Sequence, residues 1–151
     1  MKKGFTILEL VVVISVLVIL IGIAIPRIKG MQQSGQIVQA KAELQTMQTA
    51  MESYYNNLSP TKAYPPTSTG YISPCLTFFT NAVPQIVPGT CPTDPFAAAG
   101  VEYKLAVNGN WYVFGSIGPG PATDLSTLAV STSGAVTKAN GNICATNGTG
   151  C

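Results

Sequence analysis

The chain contains no histidine, and only 9% of its 151 residues are charged. Histidine is the commonest general base near neutral pH and a frequent metal ligand, so its absence removes the usual centre of many active sites. The six acidic residues are scattered without a closely spaced pair, and no phosphate-binding glycine loop is present. We therefore expect neither an enzyme nor a bound cofactor.

Excess positive charge is also lacking over most of the chain. The formal net charge is +2, with eight basic and six acidic residues. Lys2 and Lys3 account for this whole excess, so the rest of the sequence is formally neutral. A neutral chain without a basic patch is not expected to bind nucleic acid.

A long apolar run does occur, in residues 5–25, and Glu9 is its only charged residue. At about 1.5 Å per residue, this segment is long enough to cross a bilayer core of about 30 Å as a helix. A carboxylate is costly in such a helix unless it has a partner. Glu9 is therefore predicted to be a functional residue.

A cleaved secretory signal peptide is the alternative interpretation of this segment. Lys2 and Lys3 would be its basic region, and cleavage would follow Ala24. However, the apolar run is longer than the usual roughly 7–15 residues, it carries an acid, and Pro26 would lie almost directly after the cut. We therefore predict a membrane helix that is retained.

The sequence Gly4-Phe5-Thr6-Ile7-Leu8-Glu9-Leu10 follows a basic leader and opens the apolar run. It resembles the class III signal of type IV prepilins and type II secretion pseudopilins. The resemblance implies that prepilin peptidase cleaves between Gly4 and Phe5, and that the new amine of Phe5 is methylated. It also makes Lys2 and Lys3 the basic residues of the leader, and Glu9 the residue that directs assembly.

We expect the amine of Phe5 in a neighbouring copy to supply the cation that Glu9 needs, because a buried carboxylate is tolerated only when it is paired. On this hypothesis the carboxylate stays unsatisfied in a single subunit, and assembly relieves the penalty.

Four helix-weakening residues lie near the end of the apolar run or after it, namely Gly22, Pro26, Gly30 and Gly35. A kink or local melting is expected there. In filaments of the resembled family, helicity is commonly lost around the proline that Pro26 matches. Gly22 and Pro26 are therefore predicted to provide flexibility.

A second helical pattern begins at Ile37, where apolar residues recur at alternating spacings of three and four. These residues are Ile37, Ala40, Leu44, Met47, Met51, Tyr54 and Leu58. They predict an amphipathic helix that packs on a sheet, and coiled-coil pairing is the less supported alternative. Its polar face, which includes Glu43, Gln48 and Glu52, is expected to be available to neighbouring subunits.

Four cysteines, Cys75, Cys91, Cys144 and Cys151, all follow the helix, and none has CxxC spacing. An even number without histidine predicts disulfides rather than zinc, and therefore an oxidising compartment. Three pairings are possible. Cys75–Cys91 with Cys144–Cys151 is favoured because each bridge closes a local loop, but the sequence leaves the choice open.

Residues 59–96 are rich in proline and predict an ordered loop region with a possible short helix or turn at residues 76–82. Alternation from Val101 to Val107, followed by Asn108-Gly109 and residues 111–114, predicts a hairpin with a type I′ turn. Residues 128–130 and 135–137 predict a second, weaker hairpin.

The segment from Asp94 to Asp124 also contains a DP turn, a strand with Tyr103, and a strand ending in Ser116-Ile117-Gly118. It is similar to a segment that pilins and the major pseudopilin share. In major pseudopilins the next loop binds calcium. Here Ser116 and Asp124 offer at most a weak site, because calcium prefers roughly six to eight oxygen ligands.

The sequence as a whole predicts an α+β, type IV pilin-like fold, in which a long N-terminal helix packs on a small antiparallel sheet. Residues 1–4 would be the leader, 5–25 the membrane and filament-core helix, 26–58 the amphipathic helix, and 59–151 the disulfide-braced domain. The expected function is that of a structural subunit of an extracellular filament. The open alternatives are a type II secretion pseudopilin and a minor or tip pilin that binds a ligand.

The resemblance also implies the partners and the location of the chain. The partners would be copies of itself, prepilin peptidase and the inner-membrane assembly machinery. The subunit would lie in the inner membrane before assembly and in an extracellular filament afterwards.

Overall fold

The computed structural model describes residues 4–57, 62–65, 92–122 and 124–151. One helix and five strands lie in these ranges: α1 (Ile7–Asn57), β1 (Lys104–Asn108), β2 (Trp111–Ser116), β3 (Ala129–Val130), β4 (Val136–Thr137) and β5 (Ile143–Thr146). The chain divides into two compact units, Met1–Gly35 and Gln36–Cys151. We call the second unit the head. The predicted α+β architecture, a long N-terminal helix packed on a small antiparallel sheet, is confirmed.

The first unit is the N-terminal part of α1. The helix is uninterrupted through Gly22, Pro26, Gly30 and Gly35, so the local melting expected there is absent from this subunit. The helix continues although each interior glycine costs about 0.5–1 kcal/mol and a proline about 3 kcal/mol. Flexibility at Gly22 and Pro26 within a filament stays a prediction.

In the head, the C-terminal part of α1 packs its apolar stripe on the sheet. Ala40, Leu44, Met47 and Met51 are buried, as the spacing of three and four predicts, and Ile37 and Tyr54 are half-buried. They share one core with residues of β1 and β2 and the preceding loop, namely Tyr103, Leu105, Val107, Tyr112 and Phe114. The sheet partner predicted for this stripe is therefore confirmed. Leu58 lies outside the described residues.

The main sheet has the strand order β1-β2-β5, and both pairings are antiparallel. The central strand β2 is covered on both faces. Tyr112 and Phe114 face the core under α1, whereas Val113 packs with Leu125, Leu128 and Val130 in a second core on the opposite face. The small sheet of β3 and β4, the second predicted hairpin, adds Val130 to that core.

The first hairpin is confirmed, but its turn lies one residue later than predicted. Asn108 pairs with Trp111, so Gly109 and Asn110 are the central turn residues. Gly109 has a φ of 60°, whereas the φ of Asn110 is not positive. That pattern belongs to a type II′ turn rather than the predicted type I′. Asn108 stays in β1, where its side-chain amide donates to the carbonyl of Val130 at 3.1 Å.

The start of the first strand and the end of the chain also differ from expectation. β1 begins at Lys104 rather than at Val101, and Glu102 lies outside the strand in an isolated bridge with Thr93. The strand β5 was not predicted at all. Its four residues lie between glycine- and asparagine-rich turns, which makes a periodic pattern too short to recognise.

Candidate functional site

The N-terminus of α1 is closed by a reciprocal pair of side chains, Thr6 and Glu9. The hydroxyl and the backbone N–H of Thr6 donate to Oε2 of Glu9 at 2.8 and 3.0 Å. The backbone N–H of Glu9 donates in return to Oγ1 of Thr6 at 3.3 Å. The first turn of a helix has N–H groups without intrahelical acceptors, and this arrangement, a capping box, satisfies two of them.

This geometry corrects the expectation that only a neighbouring copy satisfies Glu9. In the single subunit, the carboxylate already accepts two hydrogen bonds from Thr6, and both go to Oε2. The sequence indicates this pair of side chains, because Thr6-Ile7-Leu8-Glu9 has the threonine-to-glutamate spacing of a capping box. Glu9 therefore fixes the start of the helix, whatever it binds later.

The predicted cleavage position, between Gly4 and Phe5, precedes the helix. Gly4 and Phe5 lie outside α1, which begins at Ile7, and 79% of the Phe5 side chain is exposed. A Cβ atom placed on Gly4 would meet nothing within 4 Å. The bond between Gly4 and Phe5 therefore lies outside the helix, beside an exposed side chain. Lys2 and Lys3 lie outside the described residues.

The apolar side chains that follow are exposed in the part of the chain that the structure describes. The most apolar window of α1 has a mean hydropathy of 3.1 and none of it is buried. Large side chains such as Ile7, Leu17 and Ile19 expose between 50 and 83% of their surface. By length and composition, α1 is able to cross a membrane. So large an apolar surface needs lipid or other protein to cover it.

In the head, three residues on the polar face of α1 form hydrogen bonds within the subunit, and contact of this face with neighbouring subunits stays a prediction. The Tyr103 hydroxyl donates to Glu43 at 2.5 Å, and the Gln48 amide donates to the Thr146 carbonyl at 3.0 Å. Glu52 accepts from Tyr64 and Tyr112. These bonds tie α1 to the sheet, so three of the polar residues serve the subunit's own fold.

The tyrosines that donate hydrogen bonds to these carboxylates have raised pKa values. Burial, followed by the hydrogen bond to Glu52, raises the pKa of Tyr64 to about 12. Burial and the neighbouring carboxylates also raise the pKa of Tyr103 and of Tyr112 well above the ordinary value of 10. The phenols stay protonated at neutral pH and remain hydrogen-bond donors.

The C-terminal residue is held by a disulfide between Cys144 in β5 and Cys151. This is one of the two bridges that the sequence favoured. The segment between the two cysteines also joins the two sheets, because Thr149 exchanges backbone hydrogen bonds with Gly134 and Val136. Cys75 and Cys91, and the possible helix or turn at residues 76–82, lie outside the described residues.

Ser116 and Asp124, the two candidate calcium ligands, form hydrogen bonds in different parts of the head. The buried Ser116 hydroxyl donates to Oδ1 of Asp94 at 2.8 Å and accepts from the N–H of Gly118 at 3.1 Å. Oδ1 of Asp124 accepts two hydrogen bonds from Ser126. The two side chains are therefore used by different local structures. Within the described ranges, no group of three or more Asp, Glu, Cys or His residues is placed to hold a metal ion.

Comparison with known families gives one match. The model of the prokaryotic N-terminal methylation motif matches residues 1–25 of the chain. No curated protein and no solved structure shows significant similarity to the chain.

The matched residues contain the Gly4–Phe5 bond, the Thr6–Glu9 capping box and most of the exposed apolar side chains of α1. A methylation motif of this kind implies processing by prepilin peptidase and membrane insertion before assembly. It belongs to structural proteins rather than to enzymes. Residues 1–25 thus match the class III prepilin signal of type IV pilins and pseudopilins, and the α+β layout of the chain is consistent with a pilin-like fold.

Proposed function

We propose that the chain is the structural subunit, or pilin, of an extracellular type IV pilus-like filament. The observation that carries this proposal is the prepilin signal on a helix whose apolar side chains are exposed among the described residues. Lipid covers this surface in the inner membrane before assembly. In the filament, the corresponding helices of other copies cover it, and the heads face outward.

The N-terminal geometry supports a specific route into the filament. Prepilin peptidase cleaves between Gly4 and Phe5 and methylates the Phe5 amine, and the leader with Lys2 and Lys3 is left behind. Among the described residues, Glu9 accepts hydrogen bonds from the hydroxyl and the backbone N–H of Thr6, and both bonds go to its Oε2 atom. Oε1 is then the acceptor for the Phe5 amine of a neighbouring copy. An ion pair of this kind fixes the axial register of adjacent helices as well as joining them.

A type II secretion pseudopilin and a minor or tip pilin are the alternative functions. The poor fit of Ser116 and Asp124 to calcium favours a pilin over a major pseudopilin. The near-neutral composition of the mature chain favours a packing subunit over a module that binds nucleic acid.

The test is the composition of filaments sheared from the cell surface. We expect mass spectrometry of these filaments to find this chain as the principal protein, with N-methylated Phe5 as its first residue. A chain present only in trace amounts would indicate a minor or tip pilin. A chain confined to the cell envelope would indicate a pseudopilin and overturn the proposal.

A further inference from the structure

The head contains a cavity of about 310 Å³ between the loop after Asp94 and the loop after Ile117. Apolar side chains, among them Ala98, Val101 and Leu125, form much of its wall. Three carboxylates and one amine also line it, those of Asp94, Glu102, Asp124 and Lys104, which gives the lining a formal charge of −2. The cavity therefore combines apolar contact area with an excess of negative charge.

The carboxylates of Asp94 and Asp124 differ in exposure and in hydrogen bonding. Asp94 is 4% exposed and accepts hydrogen bonds from the Ser116 hydroxyl at 2.8 Å and the Ile117 N–H at 2.7 Å. Those bonds hold the end of β2 in place. Asp124 is exposed, and its bonds from Ser126 lower the pKa of its carboxyl group. Asp124 is thus an anion at neutral pH with a face open to a partner.

An apolar wall with an anion at its edge suits a side chain that has an aliphatic stem and a cationic end. Arg27 and Lys29 are the first charged residues after the apolar residues 5–25, and both are exposed in the subunit. When the apolar helices pack together in a filament, these cations come close to neighbouring copies. There they need counterions, because a charge that loses water without gaining a partner is costly.

Most other carboxylates of the mature chain are less suited to serve as counterions for Arg27 and Lys29. Glu9 lies within the apolar residues, and Asp94 is buried. Glu43 and Glu52 accept hydrogen bonds from tyrosines of their own head. The exposed Asp124, at the edge of a cavity that also contains Glu102, is the better counterion.

We propose that this cavity receives the Arg27 side chain of a second copy, and that its guanidinium group pairs with Asp124. The inference rests on the proposed filament function. Arginine fits better than lysine, because its planar fork of donors engages both oxygens of a carboxylate. The contact joins different surfaces of the two copies, and a heterologous contact that does not close produces an open helical filament.

The first test is a charge exchange in cells that assemble the filament. Arg27→Glu and Asp124→Arg are each expected to lower the yield of sheared filaments severalfold, and the double variant to restore most of it. The matched control combines Lys29→Glu with Asp124→Arg, which we expect to restore nothing. Rescue by Lys29→Glu instead of Arg27→Glu would overturn the assignment to Arg27.

A cysteine pair keeps the inference testable if a charge variant fails to fold. Arg27→Cys together with Asp124→Cys is expected to give disulfide-linked dimers and higher oligomers from isolated filaments. The control pairs Arg27→Cys with Ser133→Cys, which is exposed on the turn between β3 and β4 and does not line the cavity. Equal cross-linking in both pairs would overturn the inference.

These outcomes separate the inference from the function on which it rests. If wild-type filaments contain the chain but neither rescue nor selective cross-linking occurs, the Arg27–Asp124 contact is wrong and the pilin proposal stands. If sheared filaments do not contain the chain, both are wrong.

Discussion

The Tyr112 hydroxyl in β2 donates a 2.9 Å hydrogen bond to Glu52 in α1, across sixty residues of sequence. Tyr64 donates to the same carboxylate, at 3.0 Å to Oε1 and 3.1 Å to Oε2. The rings of Tyr64 and Tyr112 meet edge to face with their centroids 5.0 Å apart. A polar network and an aromatic contact thus join the C-terminal end of α1 to the central strand.

Removal of the Tyr112 hydroxyl should destabilise the head. Tyr112→Phe keeps the ring but deletes one of the two phenol donors to Glu52. The expected loss in the free energy of unfolding is about 1–2 kcal/mol, because Glu52 is half-buried and retains Tyr64. Chemical denaturation of the full chain in detergent, followed by Trp111 fluorescence, measures this loss.

Tyr55→Phe is the matched control. The Tyr55 ring stacks on Tyr64 with a centroid distance of 4.8 Å, and no hydrogen bond of its hydroxyl occurs among the described residues. The substitution should change the unfolding free energy by less than about 0.5 kcal/mol. Equal losses in the two variants would show that the Glu52 bond contributes nothing specific.

Stability should fall at alkaline pH. Tyr64, Tyr103 and Tyr112 have raised pKa values, so the folded head favours their protonated forms. Their contribution is complete below pH 10, the ordinary tyrosine value, and is lost as the pH rises through about 12, the raised pKa of Tyr64. Tyrosinate absorbance and circular dichroism should change together in this window. Full ionisation of all tyrosines near pH 10 in a folded head would refute the account.

Gly134 should tolerate alanine worse than Gly100 does. Both have φ values in the left-handed region, 83° and 82°. A Cβ on Gly134 would lie 2.7 Å from the ring of Trp111, whereas one on Gly100 would meet nothing within 4 Å. Gly100→Ala should therefore cost about 1 kcal/mol of backbone strain, and Gly134→Ala roughly 2–4 kcal/mol. Thermal unfolding of both variants measures the difference, and equal costs would exclude a steric contribution from Trp111.

Much of the fold was predictable because it depends on local patterns. The spacing of Ala40, Leu44, Met47 and Met51 identified the buried face of α1, and alternation with a glycine turn identified the first hairpin. The displaced turn and β5 were not predictable. Turn type depends on which residues pair across the strands, and β5 is held by its pairing with β2 rather than by a pattern of its own.

The sequence was sufficient to propose the residues of the candidate site, but not the long-range hydrogen bonds of the head. The motif predicts the roles of Gly4, Phe5 and Glu9, which stay predictions, whereas the Thr6–Glu9 spacing is a local capping signal that the structure confirms. The partners of Glu43 and Glu52 could not be read from the sequence, because Tyr103 and Tyr112 lie sixty residues away. Such long-range pairs are set by the docking of α1 on the sheet.

The most direct test of the central claim, that the charge of Glu9 drives assembly, is the filament incorporation of Glu9→Gln. Glutamine also completes a capping box, so this variant keeps the helix start and loses only the charge. Thr6→Ala, which weakens the cap and keeps the charge, is the control. We expect Glu9→Gln to be cleaved and inserted normally but to be absent from sheared filaments, while Thr6→Ala assembles. Filaments built from Glu9→Gln in wild-type amounts would contradict the claim.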